Sequence, residues 1–135
     1  MDDYIDQIRA AHQPAVYPSE LPDEDQIVQI EEQILMPLPD DLRAFLMAVS
    51  DVICGSLEPV TASDPHEHTY LPEMAAVAWD QGLPRFLMPI CEMADGYYYI
   101  DPDGAVGRWF YGHEEEGEIE WPTIWTWATD VWLTS

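Results

Sequence analysis

Residues 87–116 read LMPICEMADGYYYIDPDGAVGRWFYGHEEE, and this pattern predicts three consecutive β-strands. Residues 87–91 form an apolar run that is too short for a helix. Residues 97–100 and 106–111 are rich in the aromatic and β-branched side chains that suit a pleated, half-buried surface. Between them, Asp101-Pro-Asp-Gly104 is typical of a tight turn, because proline presets φ at the first corner and glycine can adopt a positive φ. The stretch therefore predicts an antiparallel meander.

Helical periodicity precedes the meander in four segments. Asp23 followed by Gln26 is typical of a capping box at a helix start, and apolar residues then recur at helical spacing. The helices are predicted to begin at Asp2 or Asp3, after Asp23, at Asp40 or Asp41, and at Pro72. Residues 1–22 are predicted to form an N-terminal helix and a proline-rich linker, and residues 23–135 the core.

A tryptophan-rich helix is predicted at the end of the chain, with Pro122 at its first position. At about 100° per residue, its tryptophans fall within one arc: Trp121, Trp125, Trp127 and Trp132. Two interpretations follow, core packing against the sheet or a partly exposed binding stripe. Trp125 and Trp127 lie at opposite edges of the arc, so they are expected to come nearest to solvent. Together these elements predict a single α+β domain with a mostly antiparallel, twisted sheet of about four to six strands.

Charge is the second decisive property of the chain. Its 27 acidic residues face only four basic ones, all arginine, which gives a net charge of −23. Phosphates would be repelled over the whole surface, so we expect no binding to nucleic acid or to anionic membranes. The charge is compatible with a basic protein partner and also with plain solubility.

The cysteines and the N-terminal residues bear on the cellular compartment. Cys54 and Cys91 lie in apolar contexts without Cys-x-x-Cys spacing, which predicts buried thiols in a reducing cytosol. The first residues lack the basic and apolar regions of a signal peptide. No 18-residue apolar stretch is present that would predict a membrane span. The predicted location is the cytoplasm.

Motifs for metal binding or catalysis are weak. Residues 64–68, Asp-Pro-His-Glu-His, offer metal-ligand types, but their spacing matches no zinc signature. The Asp101–Gly104 segment lacks the further acids of a calcium loop, so it is interpreted as a turn. No nucleophile elbow, phosphate-binding loop or dinucleotide fingerprint is found. We therefore predict no cofactor, no metal, no catalytic residues and no enzyme activity.

An acidic segment follows the third strand of the meander. Its residues are Glu114, Glu115, Glu116, Glu118 and Glu120. It can be a solvated turn, or a docking surface on which carboxylates steer a cationic partner towards aromatic anchors. The second interpretation predicts a partner-binding site formed by Trp109, Tyr111, Glu114, Glu115, Glu116 and Glu118.

The order of these elements resembles the SUKH superfamily from Ile27 to about Leu133. The resemblance rests on the helix from Ile27, the Leu38-Pro-Asp-Asp helix opening, the strand from Gly96, the aromatic strand ending in His113-Glu114, and the aromatic C-terminal helix. It implies a cytoplasmic immunity protein that binds and neutralises a cognate toxin, in relatives often a nuclease. A regulatory interaction module or scaffold without a toxin is the alternative, and a small hydrolase is a distant third. The toxin and the oligomeric state are left open.

Overall fold

The computed structural model describes residues 2–14, 20–113 and 117–135. Glu114, Glu115 and Glu116 of the predicted docking surface lie outside the described residues, as does part of the predicted linker. In the described ranges, five α-helices and a four-stranded antiparallel sheet form an α+β fold, which confirms the predicted fold class.

The sheet contains the predicted meander as its first three strands. Its strands lie side by side in chain order: β1 Met88–Met93, β2 Gly96–Ile100, β3 Val106–Phe110 and β4 Ile119–Trp121. The turn between β2 and β3 is the predicted one, since the Gly104 N–H donates to the Asp101 carbonyl at 3.0 Å and Gly104 has a φ of 92°. All five residues of β2 are buried, so the sheet is covered on both faces at this strand.

The helices pack their apolar sides against this sheet and against one another. Their bounds are α1 Asp2–Ala10, α2 Glu24–Ile34, α3 Asp40–Val49, α4 Leu71–Asp80 and α5 Ile124–Trp127. The capping box at the start of α2 is present, with the Asp23 carboxylate and the Gln26 side chain each accepting from the other residue's backbone N–H. Four apolar residues of α3 are buried: Leu42, Phe45, Leu46 and Val49.

The C-terminal helix is more completely buried than the sequence predicts. Trp125 and Trp127 do not come near to solvent; both are buried. The ring of Phe45 on α3 lies 5.8 Å from that of Trp125, while Tyr98 of β2 lies 5.3 Å from Trp127 on another side of the helix. Because α5 is enclosed between α3 and the sheet, more than one side of it is buried, which a single apolar arc does not describe.

The helix also changes its winding after Trp127. Residues Ala128–Trp132 form a π-helical segment, in which the Leu133 N–H donates to the Ala128 carbonyl five residues earlier. A wheel drawn at the α-helical angle therefore misplaces the later residues. Trp132 is nevertheless buried, 5.7 Å from Phe45, so the core-packing interpretation of the tryptophans is the one that the structure supports.

Candidate protein-binding surface

Tyr111 is an exposed aromatic residue directly after β3. It leaves 40% of its surface accessible, and its N–H donates to the Asp95 carbonyl at 3.0 Å. Its ring meets those of Trp109 and Tyr97 edge-on, with centroids 5.8 and 6.0 Å away. Edge-to-face contacts of this kind are favourable and directional. Tyr111 is thus held by two buried rings while its outer part remains available for contact.

Trp109 takes a different position from the one that a direct anchor requires. It is only 1% exposed, and its indole N–H donates to the His113 carbonyl at 3.0 Å. Trp109 and Tyr111 project from the same face of β3 because they are two residues apart. Trp109, however, pairs with Tyr97 within the sheet, whereas Tyr111 lies beyond the strand end. Trp109 can support the Tyr111 surface and cannot touch a partner without rearrangement.

Tyr97 ties this aromatic group together. Burial raises the pKa of Tyr97 above its usual value, and Tyr111 and the carboxylate of Glu92 raise it further. The Tyr97 phenol therefore stays protonated at physiological pH. The Tyr111 ring is held by its edge contacts with Tyr97 and Trp109.

Glu118, the one acidic residue of the predicted site within the described ranges, lies further along the sheet. Glu118 is exposed and precedes β4. Its backbone carbonyl oxygen lies close to Gly107, at 2.9 Å from the position that a β-carbon would take there. Tyr111 is four residues beyond Gly107, about 13 Å along an extended strand. The structure brings Tyr111 and Trp109 together and places Glu118 beside Gly107, near the end of β3 that is opposite to Tyr111.

The arginines reveal how the protein's charge is presented. All four bind groups of this same chain. Arg9 pairs with Asp51 at 2.7 Å, Arg43 with Glu31 at 2.5 Å, and Arg108 with Glu120 at 3.3 Å, while Arg85 donates to the Ile34 carbonyl and lies 3.8 Å from the Trp79 ring centroid. These are the only lysine or arginine residues in the chain. A partner therefore meets carboxylates in excess, with every strong cation already engaged.

The predicted weak metal motif does not form a cluster in the structure. His68 Nε2 lies 3.0 Å from Glu58 Oε2, and the His66 N–H donates to the Asp64 carboxylate in a local turn. Among residues 2–14, 20–113 and 117–135, no three His, Cys, Asp or Glu side chains are placed to hold a metal ion. Cys54 and Cys91 are free and buried, as predicted.

A second surface was not found by the sequence reasoning. A cleft of about 240 Å³ opens between residues 36–39, residues 86 and 88, and residues 100–102. We call it the apolar cleft. It lies at the turn between β2 and β3, whereas Tyr111 lies at the opposite end of the same two strands. The only hint in the sequence is that apolar residues and two prolines follow α2 without a polar break, in Leu35-Met-Pro-Leu-Pro39.

Across the described ranges, no helix combines the length and the apolar character needed to cross a membrane.

Comparisons with known proteins place the chain in a family. No curated protein matches it in a sequence comparison. A crystal structure of a protein from Pseudomonas syringae pv. tomato is 50% identical to it, with a TM-score of 0.93 and 100% of each chain covered. The resemblance to the SUKH superfamily is also confirmed, because a family profile matches almost the entire sequence. The chain, over residues 1–133, belongs to the SUKH_5 family, described as SMI1-KNR4 cell-wall.

Proposed function

We propose that this protein is a non-enzymatic, cytoplasmic immunity protein that binds and neutralises a basic toxin domain. Membership of the SUKH family supports a protein-interaction domain of the immunity type, and the family is not one of known enzymes. The observation that carries the proposal is electrostatic. The chain has a net charge of −23, and each of its four arginines makes contacts with groups of the same chain.

The proposed mechanism is occlusion. A nuclease toxin has a cationic groove for phosphates, and an acidic protein can place carboxylates where those phosphates would bind. Long-range attraction would accelerate encounter, and a buried aromatic contact would slow dissociation. On the predicted site, Glu114, Glu115, Glu116 and Glu118 supply the charge and Tyr111 supplies the contact, while Trp109 supports Tyr111 from the core.

The alternative function is a regulatory interaction module or scaffold without a toxin. It is favoured by the family description, which refers to the cell wall. The two functions predict different binding. A toxin inhibitor binds one basic protein tightly in a one-to-one complex, whereas a scaffold binds several partners more weakly.

Capture of partners from the source cell at low salt, repeated at high salt, tests the proposal. A matched bait of similar size and negative charge but unrelated fold removes proteins that bind acidic surfaces without specificity. The proposal predicts one basic protein that is specific to this chain, forms a one-to-one complex, and arrests growth unless this chain is co-expressed. Several partners without toxicity would favour the scaffold, and a complex that leaves the captured protein's activity intact would overturn neutralisation.

A further inference from the structure

The apolar cleft is bounded by three segments of the chain that meet at one end of the sheet. The connection between α2 and α3 forms one wall, the approach to β1 forms a second, and the end of β2 with its turn forms the third. Met36, Phe86, Met88 and Ile100 give the cleft its apolar lining. Its volume of about 240 Å³ exceeds the roughly 150 Å³ that suffices to hold a benzene ring in a protein cavity.

The first wall is fixed by Glu31. One carboxylate oxygen accepts from the Leu38 N–H at 2.8 Å, and the other pairs with Arg43 at 2.5 Å. A side chain from α2 thus holds both the connecting segment and the following helix, α3. Three prolines also line the cleft, Pro37, Pro39 and Pro102, and each fixes its own φ.

Arg85 joins the first wall to the second. Its guanidinium donates to Met36 Sδ at 3.0 Å and to the Ile34 carbonyl at 2.5 Å, and it stacks on Trp79 at 3.8 Å. Phe86, the next residue, lines the cleft and leaves 51% of its surface exposed. The cleft is therefore built before any partner arrives, which reduces the entropy lost on binding.

Leu35 adds a strained, exposed residue beside the cleft. It ends α2 with a φ of 60°, a conformation in which glycine is the usual residue because it has no β-carbon. Its side chain is 84% exposed, although leucine gains stability by burial. Strained backbone of this kind tends to be found at ligand-binding sites. The conformation turns the chain directly into Met36 and the proline-lined wall.

The rim of the cleft is acidic. Asp101 lines it and is held by the backbone, since its Oδ1 accepts from the Asp103 and Ala105 N–H groups at 2.9 and 3.0 Å. The start of α3 adjoins the same turn, because a β-carbon at Gly104 would lie 3.6 Å from Asp41 Oδ2. Asp40, which follows Pro39 directly, and Asp103 are exposed. Four carboxylates thus belong to two segments that border the apolar lining of the cleft.

We propose that the apolar cleft binds one apolar side chain of a partner segment in which that residue is flanked by lysine or arginine. This proposal rests on the proposed function, since it specifies where and how a basic partner protein is recognised. The apolar lining removes the partner's apolar side chain from water, and the acidic rim pairs with the flanking cations. A second copy of this chain would bring its own acidic rim and be repelled.

The test uses a synthetic peptide as the probe, with a phenylalanine between two pairs of lysines, and a control peptide with serine at the centre. Methionine methyl groups labelled with ¹³C report the site, because Met36 and Met88 line the cleft whereas Met47 lies on α3 away from it. We expect the phenylalanine peptide to shift the signals of Met36 and Met88 and to leave Met47 unchanged. The serine peptide should bind at least about tenfold more weakly.

Substitutions then separate the contribution of the apolar lining to peptide binding from that of the acidic rim. Phe86→Ser should weaken peptide binding by about tenfold or more, whereas Val77→Ser, at an exposed apolar residue of α4, should not change it. Asp40→Asn combined with Asp103→Asn should weaken binding at low salt and have little effect at high salt. Equal binding of both peptides, equal binding by the Phe86 variant, or shifts that spare Met36 and Met88 would overturn the proposal.

The captured partner distinguishes failure of the cleft from failure of the proposed function. A toxin bound and neutralised equally well by the parent protein and the Phe86 variant would retain the function and reject the cleft. Specific binding of the phenylalanine peptide at Met36 and Met88, in a protein that captures no basic partner, would retain the cleft and reject neutralisation.

Discussion

A pair of tryptophan-to-phenylalanine substitutions tests what hydrogen bonding of the buried indole N–H groups contributes to stability. Trp109 and Trp127 are both buried, at 1% and 0% exposure, so Trp109→Phe and Trp127→Phe remove the same atoms from similarly enclosed sites. Their indole N–H groups differ. That of Trp109 donates to the His113 carbonyl at 3.0 Å, and that of Trp127 has no acceptor among the residues that the structure describes.

The difference in their effects can be worked out from that contrast. Trp109→Phe loses a hydrogen bond with a net value of about 0.5–1.5 kcal/mol. Trp127→Phe loses none, and it removes a buried donor whose desolvation costs about 1–3 kcal/mol. The lost apolar contacts are similar and largely cancel in the comparison. Trp109→Phe should therefore lower the free energy of unfolding by about 1.5–4.5 kcal/mol more than Trp127→Phe does.

Urea unfolding followed by circular dichroism measures both variants. Unchanged slopes with denaturant are required, because a changed slope would mean that the denatured or native state differs in compactness. Equal destabilisation by the two substitutions would refute the reasoning, since it would show that the Trp127 N–H makes a bond of comparable value. Trp125→Phe, whose indole N–H also has no acceptor within the described part of the chain, should behave like Trp127→Phe and is the matched control.

Three further predictions concern charge and reactivity. The Arg9 guanidinium lowers the pKa of Asp51, so the pair stabilises the fold above the ordinary carboxyl pKa of about 4, and that contribution is lost as pH falls through the lower folded pKa. Asp51→Asn should thus cost about 0.5–1 kcal/mol at neutral pH, Arg9 being 42% exposed, and nothing in strong acid, by urea unfolding at both pH values. Because the net charge is −23, repulsion among carboxylates should destabilise the fold, and salt should screen that repulsion. The thermal midpoint should therefore rise between low salt and about 1 M salt, where the Debye length is about 3 Å. An unchanged midpoint would mean that the carboxylates are too dispersed to repel one another. Burial raises the pKa of the Cys91 thiol to about 12, so mass spectrometry should find it unlabelled by a thiol reagent at neutral pH in native protein and labelled in urea, and rapid native labelling would contradict its burial.

The sheet and the helix starts could be predicted because local chemistry specifies them. The Asp101–Gly104 turn needs proline and glycine at fixed offsets, and both are present. The capping box at Asp23 likewise depends on residues three apart. Such features are set by neighbours in the sequence, so a single chain reveals them.

Burial around the aromatic residues could not be predicted in the same way. Whether Trp125, Trp127 and Trp109 reach solvent depends on elements that are distant in sequence, such as Phe45 on α3 and the far side of the sheet. The π-helical segment after Trp127 changes the angular spacing on which the helical wheel depends.

The apolar cleft has the same origin in long-range contacts. Its walls come from three separate segments, and Arg85, next to Phe86 of one wall, donates to Met36 of another across 49 residues. The left-handed conformation of Leu35 has no signal in its residue type, because glycine or asparagine is expected there. The engagement of all four arginines is likewise a tertiary property, although their small number is evident from composition.

The association rate with the captured basic partner, measured across a salt series, tests the central claim that the carboxylates of this protein steer recognition. The parent protein is compared with a variant in which Glu114, Glu115, Glu116 and Glu118 are replaced by glutamine. Steering can raise association by about 10–10³-fold at low salt, so the variant should associate more slowly there and with a flatter salt dependence, while its thermal midpoint shows that it remains folded. Identical rates and identical salt slopes for the two proteins would contradict the claim and leave those glutamates as a solvated turn.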